Sequence, residues 1–454
     1  MKVSWWSIVA VTSAFGVVSV FSSLDISGQN AAPPPTPTYK DVAPILFNHC
    51  ASCHRPGQIA PFSLLTYNDA AKRAALIADL TASRFMPPWK PVPGYGDFKD
   101  ANYLSDAELA TLKNWAEAKA PEGNAADLPK PPQFADGWQL GKPDLTLKMP
   151  QPFQIPAEGE DIYQCFVLPL NVPNGANIAA VEIHPGNRKV LHHTLLYLNS
   201  DGSAREKVNE TADPGYRCFG GPGVRSKESL GGWAPGAKPH LLPNGTATTV
   251  PPNADVIMQN HYHPSGKPET DQSEIGIYFA KGPVEKTVFN VPMTHRDLTI
   301  PAGDSHYQVT STFITPIDLE VIGITPHMHL LGQDIKVTAT LPDGQVKSMV
   351  WIKDWDFNWQ GQYQYRSPLL LPKGTKIELQ ATYDNSSENP KNPNAPPQTV
   401  HWGENTTDEM CIAFIQVQTR NPADRLTVMM SLAQQLNLMR YRREKSQSFS
   451  APNK

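Results

Sequence analysis

A basic stripe of the kind that binds nucleic acid is absent: 18% of the residues are charged and the formal net charge is −4, which excludes that class of partner. Apolar stretches long enough to cross a bilayer are missing after Phe21, so the body of the chain is expected to be soluble. Cysteine is scarce, with five residues in 454; Cys50 and Cys53 lie together, whereas Cys165, Cys218 and Cys411 are far apart. Distant cysteines in an oxidising compartment tend to pair. Proline, by contrast, is abundant at 45 residues, and a residue that cannot donate to a helix or a central strand fits short strands broken by turns.

Met1-Lys2 and the apolar stretch from Val3 to Phe21 read as a secretory signal over 1–28, which implies a periplasmic or otherwise exported protein. Left uncleaved, the same stretch would be a membrane anchor. Residues 29–37 form a stiff Pro-rich linker, which cannot pack a core. A small all-α domain is expected over 38–121, with an apolar-periodic run from Asp69 to Ala82 and a capping box at Ser105-Asp106-Ala107-Glu108 opening a helix from Leu109 to Ala118. A second linker covers 122–135, and two all-β, jelly-roll-like sandwich domains are expected over 136–290 and 291–424, where turn phrases such as Pro342-Asp343-Gly344 punctuate short β-rich runs. The end, 425–454, reads as a docking helix with a basic tail.

Cys50-Ala51-Ser52-Cys53-His54 has the C-x-x-C-H spacing in which two thiols form thioethers to haem vinyl groups and the imidazole ligates the iron. A redox dithiol would favour a βαβ context, and a zinc site would need a second ligand pair; neither is present in this stretch. One covalently bound haem c is therefore expected, and 38–121 reads as a c-type cytochrome domain. Met86, the only methionine between the signal and the Pro121 boundary, is the candidate second axial ligand, in the rigid phrase Arg84-Phe85-Met86-Pro87-Pro88-Trp89. His49 adjoins the attachment cysteine and is badly placed to reach the opposite haem face.

Histidines cluster in three phrases: Leu191-His192-His193-Thr194, Gln259-Asn260-His261-Tyr262-His263 and Pro326-His327-Met328-His329. On a strand, residues two apart share a face, so His327 and His329 could close on one metal. His192 and His193 would point to opposite faces unless a bulge re-aims one of them. With Met410 as a thioether donor, such sites favour copper, particularly Cu(I).

At these residues the chain resembles the ascorbate-dependent type II copper monooxygenases, the family of peptidylglycine α-hydroxylating monooxygenase and dopamine β-monooxygenase. The match lies in ordered phrases from Asp161 to Gln418: Asp161-Ile162-Tyr163-Gln164-Cys165, His192-His193, Gly232-Trp233-Ala234-Pro235-Gly236, Gln259-Asn260-His261-Tyr262, His327-Met328-His329 and Thr406-Thr407-Asp408-Glu409-Met410-Cys411. The resemblance implies two copper ions: an electron-transfer copper on His192, His193 and His261, and a catalytic, O2-binding copper on His327, His329 and Met410. It also implies a Cys165–Cys218 disulfide and a free, buried Cys411, whose usual partner falls near Ala381. His401 matches a family histidine without being a ligand, and His263 is at most an auxiliary donor.

Two departures argue against peptidylglycine as substrate: Thr325 stands where the peptide hydroxylases read a terminal carboxylate with arginine, and Phe414 replaces a tyrosine. The implied activity is hydroxylation of a C–H bond of a small-molecule or peptide substrate with O2. Electrons would arrive through the fused haem domain from a periplasmic donor, replacing or supplementing ascorbate. The competing readings are a haem/copper electron-transfer or copper-binding protein, and a binding module for a partner or glycan.

Overall fold

The computed structural model describes residues 35–450 except 59, 135–136, 212, 220, 227, 235–236 and 404; side chains are not described for 228 and 439–450. The expected signal over 1–28, most of the linker over 29–37, and the side chains of the basic run 440–445 lie outside what is described. Among the described residues, no helix is long and apolar enough to cross a membrane.

Helices Tyr39–His49, Tyr67–Ala71, Ala74–Ala82 and Asp106–Glu117 build the N-terminal segment. The Ser105 box closes as expected: the Glu108 N–H donates to Ser105 Oγ at 3.3 Å and the Ser105 N–H to Glu108 Oε2 at 2.8 Å, a cap contributing about 0.5–2 kcal/mol. The run expected as one helix from Asp69 to Ala82 is two. Arg73 leaves helical geometry at φ −125°, ψ 13°, and its guanidinium takes the Asp69 carbonyl at 3.1 Å, the acceptor its own N–H would use in a continuous helix. Val42, Leu46, Leu112 and Trp115, all fully buried, form this segment's core.

The rest is β-sheet. Strand Asp255–Tyr262, buried along its whole length, lies between Ile162–Pro169 and Leu191–Asn199 in a five-stranded sheet edged by Tyr216–Arg217 and Glu228–Trp233. A second sheet of eight strands runs through both halves of the chain, in the order Leu145–Lys148, Glu274–Phe279, Ala176–His184, Thr246–Val250, Lys286–Thr294, Ile412–Thr419, Leu319–His327 and Tyr363–Leu371. Its first four strands belong to the first sandwich and its last four to the second. The seam is a short parallel ladder, Lys286↔Thr246 and Thr287↔Ala247. The boundary expected at 290/291 thus falls inside a strand.

Facing the second half is a sheet of Tyr307–Ile314, Lys376–Tyr383, Gly332–Thr340 and Val346–Ile352. In Gly332–Thr340, Ile335, Val337 and Ala339 are buried while the residues between them are partly exposed, the period-two pattern of a strand with one face on a core. Helix Ala423–Ser450 docks on this core through Val428 and Leu432.

Candidate metal centres

His192 and His193 come to one place because the strand is irregular there. Pairing with the central strand shifts register between Leu191↔Tyr262 and His193↔His261, so the extra residue re-aims its side chain. His192 Nδ1 lies 3.2 Å from His193 Nδ1, which lies 3.3 Å from His261 Nδ1. Three nitrogens held at about 2.0 Å by one tetrahedral metal would stand about 3.3 Å apart. The cluster therefore has the dimensions of a coordination site.

Asp161 supplies the outer support. Its carboxylate accepts from His261 Nε2 at 2.9 Å, which leaves His261 Nδ1 as the free donor atom. It also accepts from His263 Nδ1 at 2.7 Å and Thr406 Oγ1 at 2.9 Å. Burial would raise the Asp161 pKa, but the His261 and His263 hydrogen bonds hold it well below the usual carboxylate range. Tyr163 stacks on His261 with ring centroids 4.2 Å apart. Burial lowers the His192 pKa to about 4, with His261 the next influence, and drives His193 far below its ordinary value. Both imidazoles are thereby kept in the neutral form that ligates metals.

The second cluster is built at the end of a strand. His327 is the last residue of Leu319–His327 and His329 lies just beyond, their rings 5.0 Å apart. His327 Nδ1 donates to Gln360 Oε1 at 2.5 Å, and His329 Nδ1 donates to the Asp408 carbonyl at 3.0 Å. Each Nε2 is thus the nitrogen left for a metal. Burial lowers both pKa values, that of His329 to about 3 with His327 adding to the effect.

Glu409 ties this cluster together. Fully buried, it accepts the N–H groups of His329 at 2.9 Å and Met410 at 3.1 Å on one oxygen, and that of Leu331 at 2.6 Å on the other. Burial pushes its carboxyl up to about 8 against the pull of these donors. Met410, 9% exposed, is anchored by its carbonyl, which accepts from Tyr383 Oη at 2.8 Å. The arrangement offers two imidazole nitrogens beside a thioether residue.

The clusters face each other. Phe357 stacks on His192 at 5.2 Å and meets the His329 ring edge-on at 5.7 Å, and Thr406, from the phrase that carries Met410, reaches Asp161 of the first sandwich. His263 is mostly exposed and hydrogen-bonded to Asp161. His401 is exposed, its Nδ1 3.3 Å from Thr299 Oγ1. Cys165 and Cys218 form a disulfide, while Cys411 is free and buried.

In the helical segment, Cys50, Cys53 and His54 share one turn, with the Cys53 and His54 N–H groups on the Cys50 carbonyl at 3.1 and 2.9 Å. His54 Nδ1 donates to the Phe62 carbonyl at 3.1 Å, which makes Nε2 the ring's acceptor nitrogen. Both thiols are free, and burial together with Cys53 pushes that of Cys50 up to about 12. His49 is committed at both nitrogens, to Asn102 at 2.8 Å and Glu108 at 3.2 Å. Met86 is half-buried, its N–H on the Leu80 carbonyl at 3.0 Å.

The sequence reading passed over Gln360, Phe357, Glu409 and the buttressing role of Asp161. Glu409, beside Met410, and Asp161, at the head of the phrase over 161–165, carried a local signal; Gln360 and Phe357 carried none.

Residues 288–436, which hold His327, His329 and Met410, match the family model for the C-terminal domain of copper type II ascorbate-dependent monooxygenases. That match supports a copper monooxygenase family of oxidoreductases, whose members depend on copper and ascorbate. No curated protein matches the chain. Among solved structures, PNGF-II in a C2 crystal is 10% identical at TM-score 0.26, over 60% of this chain and 64% of that one. PNGase F from Flavobacterium meningosepticum is 10% identical at TM-score 0.23, over 61% of this chain and 97% of that one. The chain spans 64% of the PNGF-II structure's length, and likenesses this low carry no argument.

Proposed function

We propose that the chain is an exported copper monooxygenase that hydroxylates a C–H bond, fed with electrons through a haem held by its own N-terminal segment. The observation that carries this reading is the pair of facing clusters, one of three histidine nitrogens and one of two histidines beside Met410, with the second inside the matched segment. The donors fit copper: imidazoles of His192, His193, His327 and His329 kept neutral by burial, tautomers fixed by carboxylate and carbonyl partners, and a thioether at the second site. Copper on His192, His193 and His261 would supply one-electron transfer, and copper on His327, His329 and Met410 would supply dioxygen chemistry.

The protein's own groups orient and shield. Asp161 and Gln360 hold imidazole tautomers, Glu409 fixes the backbone between His329 and Met410, and Phe357 covers the space between His192 and His329. Thr325 and Phe414 are direct partners on neighbouring strands, so the two positions that depart from the peptide hydroxylases are one neutral, partly apolar pair. A substrate read there has no carboxylate to be paired.

Cys50 and Cys53 would hold the haem by thioethers, each thiol adding across a vinyl double bond with its hydrogen passing to the neighbouring carbon and nothing leaving. His54 Nε2 would hold the iron on one side, with Met86 the candidate second donor, and the haem would supply one-electron transfer. The free thiols and free Nε2 on one turn fit that group.

The test is metal and haem content of protein matured in an exporting, haem-attaching host, for the wild type, His261→Ala and Met410→Ala. Two coppers per covalent haem, one lost in each variant, with hydroxylated product matching oxygen uptake, is the expected result. Covalent haem without copper would overturn the monooxygenase reading.

A further inference from the structure

A solvent-open cleft separates the turn bearing Cys53 from the first sandwich. Ser52, Cys53 and Gln58 line one side, and Arg188, Trp233 and Lys238 stand on the other. Arg188 is half-buried, its guanidinium carbon 5.6 Å from the Trp233 ring centroid. Among the described residues it has no carboxylate partner and no hydrogen bond. The acid on the same wall, Glu182, is already committed to the N–H groups of Gln139 and Leu140, to Tyr278 and to His184. Burial lowers the Arg188 pKa, and the ionisable groups it feels are Cys53 and Arg55.

A guanidinium taken partly out of water with no counter-charge is an unfinished arrangement, because its five donors match a carboxylate in bidentate fashion and desolvation without one is costly. A porphyrin attached at Cys50 and Cys53 carries carboxylate side chains on the edge away from its vinyl groups. We propose that this cleft receives that edge, with Arg188 binding one carboxylate and Lys238 lying beside the other. The first sandwich thereby closes a haem pocket that the helical segment leaves open. This rests on the haem reading above and adds to it a site on the copper-binding half of the chain.

The placement has a consequence for coupling. Arg188 lies in the connection leading directly into strand Leu191–Asn199, which carries His192 and His193, and Trp233 is the register partner of Thr194. Strand Leu191–Asn199 thus carries two histidines of the first cluster, follows directly on Arg188 and pairs with the strand that brings Trp233 to the cleft, so the haem edge and the first copper site would be joined through that one strand.

The test uses full-length holoprotein from a haem-attaching host as wild type, Arg188→Gln and Arg188→Lys, read by haemochrome content and by the haem midpoint potential in a spectroscopic redox titration. Removing a positive charge favours the more positive ferric state. A unit charge about 10 Å from the iron, at an effective dielectric of about 20, should shift the ferrous/ferric ratio by roughly tenfold, or about 59 mV downward for one electron. Arg188→Lys, which keeps the charge, should return most of that shift, with equal haem content in all three proteins. The same potential in all three, with haem attached, overturns the cleft assignment and leaves the haem reading standing. Wild type without covalent haem overturns both.

Discussion

Replacing Asp161 with alanine should weaken copper binding at the three-histidine site without touching a ligand. The carboxylate fixes His261 in the tautomer that frees Nδ1, and at 24% side-chain exposure it is shielded enough for its negative charge to matter to a cation nearby. Loss of such an outer partner costs about 10–100-fold in metal affinity, or about 1.4–2.7 kcal/mol. Asp161→Asn, which keeps one acceptor oxygen but loses the charge, should fall between wild type and alanine. The assay is competitive titration with a chromophoric copper chelator, with the three-histidine site distinguished by its spectrum in a Met410→Ala background. Because Asp161 also accepts from Thr406, alanine should slightly loosen the second cluster too, by less than the first. An affinity at the first site within about threefold of wild type in Asp161→Ala would refute the argument, since it would mean that the His261 orientation is set by packing on Tyr163 alone.

Other perturbations follow from single contacts. Converting Cys165 and Cys218 to serine opens a closure of sequence separation 53 and should cost about 2–4 kcal/mol in urea unfolding; an unchanged midpoint would mean that the local packing holds the loop alone. Glu182 is driven below the ordinary carboxylate pKa despite burial, by His184 and the Gln139 and Leu140 N–H groups. Its contribution to stability is therefore complete above the unfolded-state pKa and fades as pH falls through the depressed one. Glu182→Gln should cost about 1–3 kcal/mol at neutral pH and flatten the acid side of the stability curve, as thermal melts across pH would show. Glu409→Ala strands buried backbone donors of His329, Leu331 and Met410, so a loss of about 3 kcal/mol or more is expected. Copper should disappear from the second site before the first; simultaneous loss would count against a local role.

Whatever was local in the chain could be read from it. The capping box at Ser105, the single turn of Cys50 to His54, and the bulge that adjacent histidines require are consequences of spacing alone, and the helix, turn and register shift stand at those places. The break at Arg73 was not legible, because the apolar period continues through it and a side chain on the Asp69 carbonyl interrupts the backbone ladder. Likewise, the shared eight-stranded sheet hangs on a two-residue parallel ladder between segments that show no sign of each other in sequence.

The groups that make ligands into centres are the least legible, for one physical reason. A metal ligand is recognised by its type and its neighbours, whereas an orienting group is defined by what it touches, and those contacts are long-range: Asp161 meets His261 across 100 positions and Thr406 across 245. Phe357 belongs to no phrase with chemistry of its own, yet its ring lies against His192 of one sandwich and His329 of the other. The loop that holds it is pinned from outside both sandwiches: Lys90 of the N-terminal segment, its side chain 9% exposed, pairs with Asp354 at 3.1 Å and Asp356 at 3.9 Å. The Pro-rich phrase that carries Met86 therefore also anchors, four residues on, the loop standing between the two histidine clusters, so displacing that phrase would be felt at both.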